Sequence, residues 1–313
     1  MNALIFPGQG SQIVGMGKEF FNNFSFVKKI FQEADDKLKT NISKIILDGP
    51  ADKLQLTENT QPAILVVSYS IFETIKNEFN FGVNNFKYFA GHSLGEYSAL
   101  VCSNALEFQD ALFLLHQRGK AMQSAVPVGR GSMLAVLGSK IENIENEIKN
   151  LKLDSDVCEI ANDNADGQVI VSGDKKSVDL LKSNLQQKKI KSIPLKVSAP
   201  FHCSLMRPAA EKMKDKILST KFKEPALEIV CNVTAKPEKN AETIKKLLIE
   251  QIYSSVKWRE SMIHVNETGV SNFIEIGPGK VLSGMIKRTI KDSNCFSINS
   301  IADIKKLLDE LKK

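Results

Sequence analysis

The chain predicts an α/β protein: a layered core around a mostly parallel sheet, with an inserted small subdomain of the ferredoxin-like βαββαβ kind. Three observations lead there. Short apolar strands alternate with helical periodicity through the N-terminal third, the order of a parallel sheet. The middle changes to strand–helix–strand–strand–helix–strand over roughly 70 residues. The α/β alternation then resumes toward the C-terminus.

Ala3-Leu4-Ile5-Phe6 reads as a short buried strand, ended by Pro7-Gly8-Gln9-Gly10-Ser11-Gln12, a loop rich in residues that tolerate positive φ. Helical spacing follows at Phe24–Leu38 and at Pro62–Phe79. Phe86–Ala90 is a second apolar strand that runs into Gly91-His92-Ser93, and helices follow at about Glu96–Cys102 and Phe108–Ala125. In the middle, strand Ser132–Leu137 and helix Ile141–Lys149 precede strands Val157–Ala161 and Gln168–Ser172. The turn-forming run Asn162-Asp163-Asn164-Ala165-Asp166-Gly167 separates those two strands. Helix Ser177–Lys188 and strand Lys191–Val197 complete the unit. Pro127 with Gly129 on one side and Pro200 on the other bound it. The expected division is therefore 1–127 with 199–313 for the large subdomain and 128–198 for the small one. Beyond it come a helix at about 205–219, a strand Leu227–Asn232, a helix Ala241–Ile252 and a strand Phe273–Ile276 before Gly277-Pro278-Gly279. Ile301–Lys313 closes the chain as an amphipathic helix with Ile304, Leu307, Leu308 and Leu311 on one side.

Apolar residues make up 42% and charged residues 25%, which places the chain among ordinary soluble globular proteins. The longest aliphatic run, Ala63-Ile64-Leu65-Val66-Val67, is far shorter than the about 20 residues of a membrane span. Met1-Asn2 leads straight into the first strand with no basic region or cleavage site, which argues against export. Cys102, Cys158, Cys203, Cys231 and Cys295 are scattered and odd in number, with no CxxC. They fit reduced thiols in the cytoplasm and offer no zinc site. The 42 Lys and Arg against 36 Asp and Glu leave a net charge of +6. Such a surface favours an acidic partner, but the lysines lack aromatic interleaving, so no nucleic acid is expected.

Chemistry concentrates at Gly91-His92-Ser93-Leu94-Gly95, a G-x-S-x-G run after an apolar strand and before a helix. A sharp strand-to-helix turn lifts the serine hydroxyl above the sheet, and free N–H groups at the helix start can hold an oxyanion. A tight structural turn with a capping serine would show the same five residues. A serine nucleophile needs a base. His92 would point away across the turn, His116 falls on the solvent side of its helix, and His264 has no catalytic context. His202, in Ala199-Pro200-Phe201-His202-Cys203, lies in a loop between a strand and a helix, where sites are usually built. The helix starting near Ser204 would help keep it neutral. A structural histidine is the alternative. No acid lies near His202, so a Ser-His dyad oriented by a carbonyl or an amide is more economical than a triad. Arg118 falls within the apolar stripe of its helix, and a guanidinium aimed inward must be paired. It is either half of a buried ion pair or a bidentate clamp for an acidic acyl chain such as malonate.

Five motifs carry a resemblance: Phe6-Pro7-Gly8-Gln9-Gly10-Ser11-Gln12, Gly91-His92-Ser93-Leu94-Gly95-Glu96, Gln117-Arg118-Gly119 with Met122, Ala199-Pro200-Phe201-His202, and Glu275-Ile276-Gly277-Pro278-Gly279. In this order they resemble the malonyl-CoA:acyl carrier protein transacylases of bacterial type II fatty acid synthesis, over nearly the whole chain. The resemblance implies a hydrolase-like α/β core with the ferredoxin-like insert, acylation of Ser93, and His202 as general base and then acid. It implies an oxyanion hole from the backbone N–H groups of Gln9 and Leu94, and a Gln251 carbonyl that orients His202. It implies Arg118 as the malonyl carboxylate clamp, with Met122 and Phe201 among the substrate-binding residues, Phe201 matching the malonyl-selective pattern. The substrates would be malonyl-CoA and holo acyl carrier protein, with no metal or redox cofactor, in a cytoplasmic monomer. The acidic carrier would suit a basic surface on the Lys-rich insert or at Lys287-Arg288. An esterase or thioesterase, a transacylase for neutral acyl groups, and a carrier-binding scaffold with an idle serine are the rival readings.

Overall fold

Asn2–Phe6 (β1) is buried from Ala3 to Phe6, as a strand covered on both faces must be. The computed structural model describes residues 1–197 and 199–312. Helices α1 (Lys18–Asn23), α2 (Ser25–Leu38), α3 (Ile42–Asp48) and α4 (Ala51–Gln55) lead to the long, mostly buried α5 (Thr57–Phe79). The helical spacing suggests a start at Pro62; the helix begins instead at Thr57 with Pro62 inside it. Pro62 has no N–H for the Glu58 carbonyl, and His116 fills that gap by donating Nδ1–H to Glu58 O at 2.9 Å. His116 is accordingly half-buried rather than turned to solvent.

β2 (Tyr88–Gly91), α6 (Gly95–Cys102) and α7 (Phe108–Gln123) follow. Then come β3 (Gly131–Leu137), α8 (Ile141–Asn150), β4 (Cys158–Ala165), β5 (Gln168–Asp174), α9 (Lys175–Gln187) and β6 (Lys191–Pro194). These four strands form an antiparallel sheet in the order β4-β5-β3-β6, the ferredoxin-like arrangement. One face packs Leu134, Val136 and Val171 on Ile144 of α8 and Leu181 of α9. The other face presents Met133 and Ile170 to the main core.

Two expectations for this unit change. The run Asn162–Gly167 is not a turn throughout: β4 continues to Ala165 across two bulges, and the reversal shrinks to Asp166-Gly167, with Gly167 at φ 69°. Polar residues survive in this strand because the large subdomain satisfies them. Asp163 N donates to Val256 O at 3.0 Å, and Val256 N donates to Ala161 O at 2.9 Å. β6 ends at Pro194 instead of Val197, and the expected boundary at Ser198 lies outside the described residues.

The chain returns through α10 (Arg207–Ser219), β7 (Ile229–Cys231), β8 (Lys236–Glu238), α11 (Ala241–Gln251), α12 (Trp258–Glu267), β9 (Asn272–Ile276), α13 (Val281–Thr289), β10 (Asn294–Ile298) and α14 (Ile301–Leu311). The large sheet runs β10-β9-β1-β2-β7-β8, parallel except for β8 at its edge. β10 extends the sheet beyond the last strand read from the sequence. Successive β1 side chains go to opposite faces. Leu4 and Phe6 join the larger core with α5 and α6, while Ala3 and Ile5 meet Trp258 and Met262 of α12 and Ile286 of α13. α14 buries Ile304 and Leu307 behind a Ser300–Asp303 capping box, and the expected terminal Lys313 lies outside the described residues. Among the described residues, no helix is long and apolar enough to cross a membrane.

Candidate active site

Ser93 sits where β2 gives way to α6, with φ 54°, a left-handed conformation that L-residues rarely adopt. Only close backbone packing permits this turn. A Cβ on Gly91 would lie 1.9 Å from Gly95 C, and one on Gly95 would lie 2.3 Å from Phe6 O. The turn is also pinned from β7. Asn232, one residue past that strand, accepts from Ser93 N at 2.7 Å and donates Nδ2–H to Gly91 O at 2.7 Å.

The hydroxyl of Ser93 is 2.8 Å from His202 Nε2, and His202 Nδ1 is 2.8 Å from the Gln251 carbonyl. A carbonyl can only accept, so the proton rests on Nδ1 and Nε2 is free to take the serine proton. His202 too has a positive φ, 58°, and is 5% exposed. Burial foremost, and then the charge of Arg118, push its pKa down from 6.5 to about 3. The ring is therefore neutral at physiological pH, as anticipated, but for a different reason. The expected helix begins only at Arg207, behind a 3-10 turn at Ser204–Met206.

Arg118 is 1% exposed at the base of the same cleft. Its guanidinium donates to Gln61 Oε1 at 2.7 Å, Gln251 Oε1 at 2.9 Å and Ser93 Oγ at 3.1 Å. Every one of these partners is neutral, and Nε has no partner. Among the described residues no carboxylate comes within ion-pair distance, so the buried ion pair does not form. The cleft has a volume of about 180 Å³. Gln9, Leu94, Met122 and Phe201 line it beside Ser93, His202 and Arg118. Among the described residues, the backbone N–H groups of Gln9 and Leu94 have no acceptor.

Residues 3–311 match the model of the acyl transferase domain. The chain belongs to that family. Within it the chain is 40% identical to the malonyl CoA-acyl carrier protein transacylase of Bacillus subtilis (strain 168) over 312 residues, covering 99% of this chain and 97% of that protein. The acyl-carrier-protein-S-malonyltransferase from Bartonella henselae superposes with a TM-score of 0.96 at 40% identity, covering 100% of this chain and 99% of that one. A malonyl-transacylase solved in complex with its holo type II PKS acyl-carrier protein superposes at 0.94 and 37% identity, over 99% of each chain.

Around these residues the structure adds others, of which His92 alone was placed by the sequence, pointing away from the nucleophile. His92 stays clear of the nucleophile: its Nε2 meets Asn164 Oδ1 at 2.8 Å and its ring leans on Trp258. Asn162 and Asn164 line the cleft because β4 runs on past the expected turn. Gln61 and Asn232 come from helix and strand positions with no local motif. The available signal for Asn232 was a polar residue at the C-terminal end of an apolar strand, where open α/β sheets place their sites. Glu96, 1% exposed on α6, accepts from Asn232 N at 3.0 Å and Gln251 Nε2 at 2.8 Å through one oxygen, while its other oxygen has no partner. Burial drives its pKa from 4.5 up to about 7, against the pull of those donors and of Arg118.

Proposed function

We propose that the chain transfers malonyl from malonyl-CoA to the phosphopantetheine thiol of holo acyl carrier protein, through a malonyl ester on Ser93. The observation that carries this reading is a buried arginine with only neutral partners, 3.1 Å from a serine hydroxyl that is itself 2.8 Å from a neutral histidine nitrogen. Arg118 supplies a planar, charged fork beside Ser93 Oγ that no carboxylate among the described residues pairs with; a neutral acyl group would leave that charge without use.

The steps balance within the site. Ser93 Oγ attacks the thioester carbonyl and passes its proton to His202 Nε2, while the Gln251 carbonyl holds the Nδ1–H of the imidazolium. The tetrahedral oxyanion takes the N–H groups of Gln9 and Leu94, each donor contributing on the order of 3 kcal/mol. Collapse breaks the C–S bond, and the departing coenzyme A sulfur receives the proton from His202. The carrier thiol then gives its proton to His202 and attacks the ester, and collapse returns oxygen and proton to Ser93. This sequence exchanges an acyl group between two thiols and needs neither metal nor redox cofactor. Phe201 and Met122 would border the acyl group. We further place the protein in the cytoplasm as a monomer, with the acidic carrier and malonyl-CoA as partners and no nucleic acid or membrane. Five free cysteines suit a reducing compartment.

Intact mass after incubation with malonyl-CoA tests the reading. One malonyl on the wild-type chain, absent from Ser93→Ala and discharged by holo carrier protein, is the expected result. Discharge to free malonate alone, with carrier present, would mean a hydrolase.

A further inference from the structure

Arg118 is charged and fully buried, yet its counter-charge stands off. The nearest anion in its network is Glu96, and the Gln251 side-chain amide lies between the two. Gln251 Nε2 donates to Glu96 Oε2 at 2.8 Å and Gln251 Oε1 accepts from Arg118 Nη2 at 2.9 Å. An amide turned the other way would set its NH₂ against the guanidinium. A carboxylate only accepts, so Glu96 favours the orientation that leaves the amide oxygen on Arg118, helped by Ser93 O at 3.1 Å. We propose that Glu96 is a positioning residue that sets the grip of Arg118 on the acyl carboxylate, acting through the amide of Gln251. This rests on the malonyl-transfer reading and deepens it.

The geometry explains a buried carboxylate that neither touches the cleft nor pairs with a cation. Contact with Arg118 would neutralise the guanidinium and close the site to a carboxylate ligand. At one amide's remove, the negative charge moderates the positive one without occupying it, so the acyl group can leave as well as bind.

Protonation of Glu96 near neutrality is the switch that exposes this role. The groups around it do not titrate in the same range. Burial pushes the Cys231 thiol well up and the Tyr97 hydroxyl up to about 12, and His202 lies at about 3. His92, farther along the cleft, is also held down by burial; burial lowers the Arg118 pKa as well, but a guanidinium keeps its proton throughout this range. As pH falls through about 7 Glu96 takes a proton, its repulsion of the incoming carboxylate is lost, and Arg118 holds malonyl more tightly.

The test compares malonyl-CoA with acetyl-CoA, which carries the same coenzyme A charges and no acyl carboxylate. In the wild-type protein the KM ratio of malonyl-CoA to acetyl-CoA should rise about tenfold between pH 6 and 8.5. Glu96→Gln, which keeps an acceptor and loses the charge, should hold the low ratio at every pH. Glu96→Asp should keep the pH dependence. A ratio that is flat in the wild type, or equally steep in Glu96→Gln, overturns the proposal. If Glu96→Gln does not fold, the wild-type ratio still decides. Failure of malonyl to load on Ser93 at any pH would instead overturn the transfer reading itself.

Discussion

His202 is a base held far below the range where free imidazole titrates, and the largest of the charges that depress it, Arg118, is removable. Arg118→Ala deletes the charge and leaves the burial. The variant's His202 should therefore titrate higher, and the acid limb of its acetylation rate should move to higher pH, read by mass with acetyl-CoA. Malonyl transfer should fall roughly a hundredfold in the same variant while acetyl transfer falls far less, because only malonate uses the fork. Equal losses would remove the carboxylate clamp. The lowered pKa also sets a stability profile. Between about 3 and 6.5 the unfolded chain binds a proton that the folded chain refuses. The contribution of a neutral His202 is thus complete above 6.5 and fades as pH falls toward about 3. His202→Gln should flatten that acid loss, measured as the difference in urea midpoint between pH 7 and pH 4.5. Most of the cleft residues readable in advance sit in short loops where one motif places each of them, Ser93, Leu94, His202 and Gln9; Arg118 was readable from an inward-facing charge on the apolar stripe of α7. Glu96 stood in a motif, but its contact with Asn232 was not readable, since the two meet across 136 positions and only the folded sheet brings them together.

At the scale of elements, the elbow depends on backbone contact that no side chain could mediate. Gly91→Ala places a methyl 1.9 Å from Gly95 C and 2.0 Å from Gly95 O, and neither atom can move without shifting α6 off β1. The variant should lose about 3 kcal/mol or more and its acylation with it. Gly284 in α13 is the contrast, with nothing within 4 Å of its would-be Cβ. Gly284→Ala should gain about 0.5–1 kcal/mol with activity unchanged, since only the unfolded chain feels the change. Paired thermal melts check both. Glycine spacing made the elbow legible, because a strand, a tight turn and a helix leave one sequence pattern. The length of α5 and of β4 was hidden for a common reason. Pro62 and Asn162–Asn164 look like breakers locally, and their missing or polar groups are satisfied from distant elements, His116 for one and Val256 for the other.

For the whole molecule, the cleft exists because the small sheet is held against the large subdomain along β4. Ser93 and Leu94 line it from one side, Met133, Asn162, Asn164 and Ile170 from the other. The seam combines the backbone pairing at Val256 with Arg288 Nη1 donating to Gln168 Oε1 at 2.6 Å and a forked ion pair, Arg259 Nε to both oxygens of Asp163 at 3.0 and 2.9 Å. The Asp163 side chain is 2% exposed and that of Arg259 is 21% exposed. Burial raises the Asp163 pKa, and Arg259 opposes the rise without cancelling it. The two partners are thus unequal. Arg259→Ala strands a buried carboxylate and should cost about 2 kcal/mol, between the values for surface and fully buried pairs. Asp163→Asn leaves a guanidinium that can still reach water and Asp166, 3.8 Å away, and should cost less. In the double variant no buried charge remains, so the losses should fall short of additive by about 1 kcal/mol or more in urea unfolding. Additive losses would mean that the backbone pairing at Val256 holds the seam alone. Because β4 carries Asn162 and Asn164 into the cleft, Arg259→Ala should also slow Ser93 acylation, and the double variant should recover part of that rate.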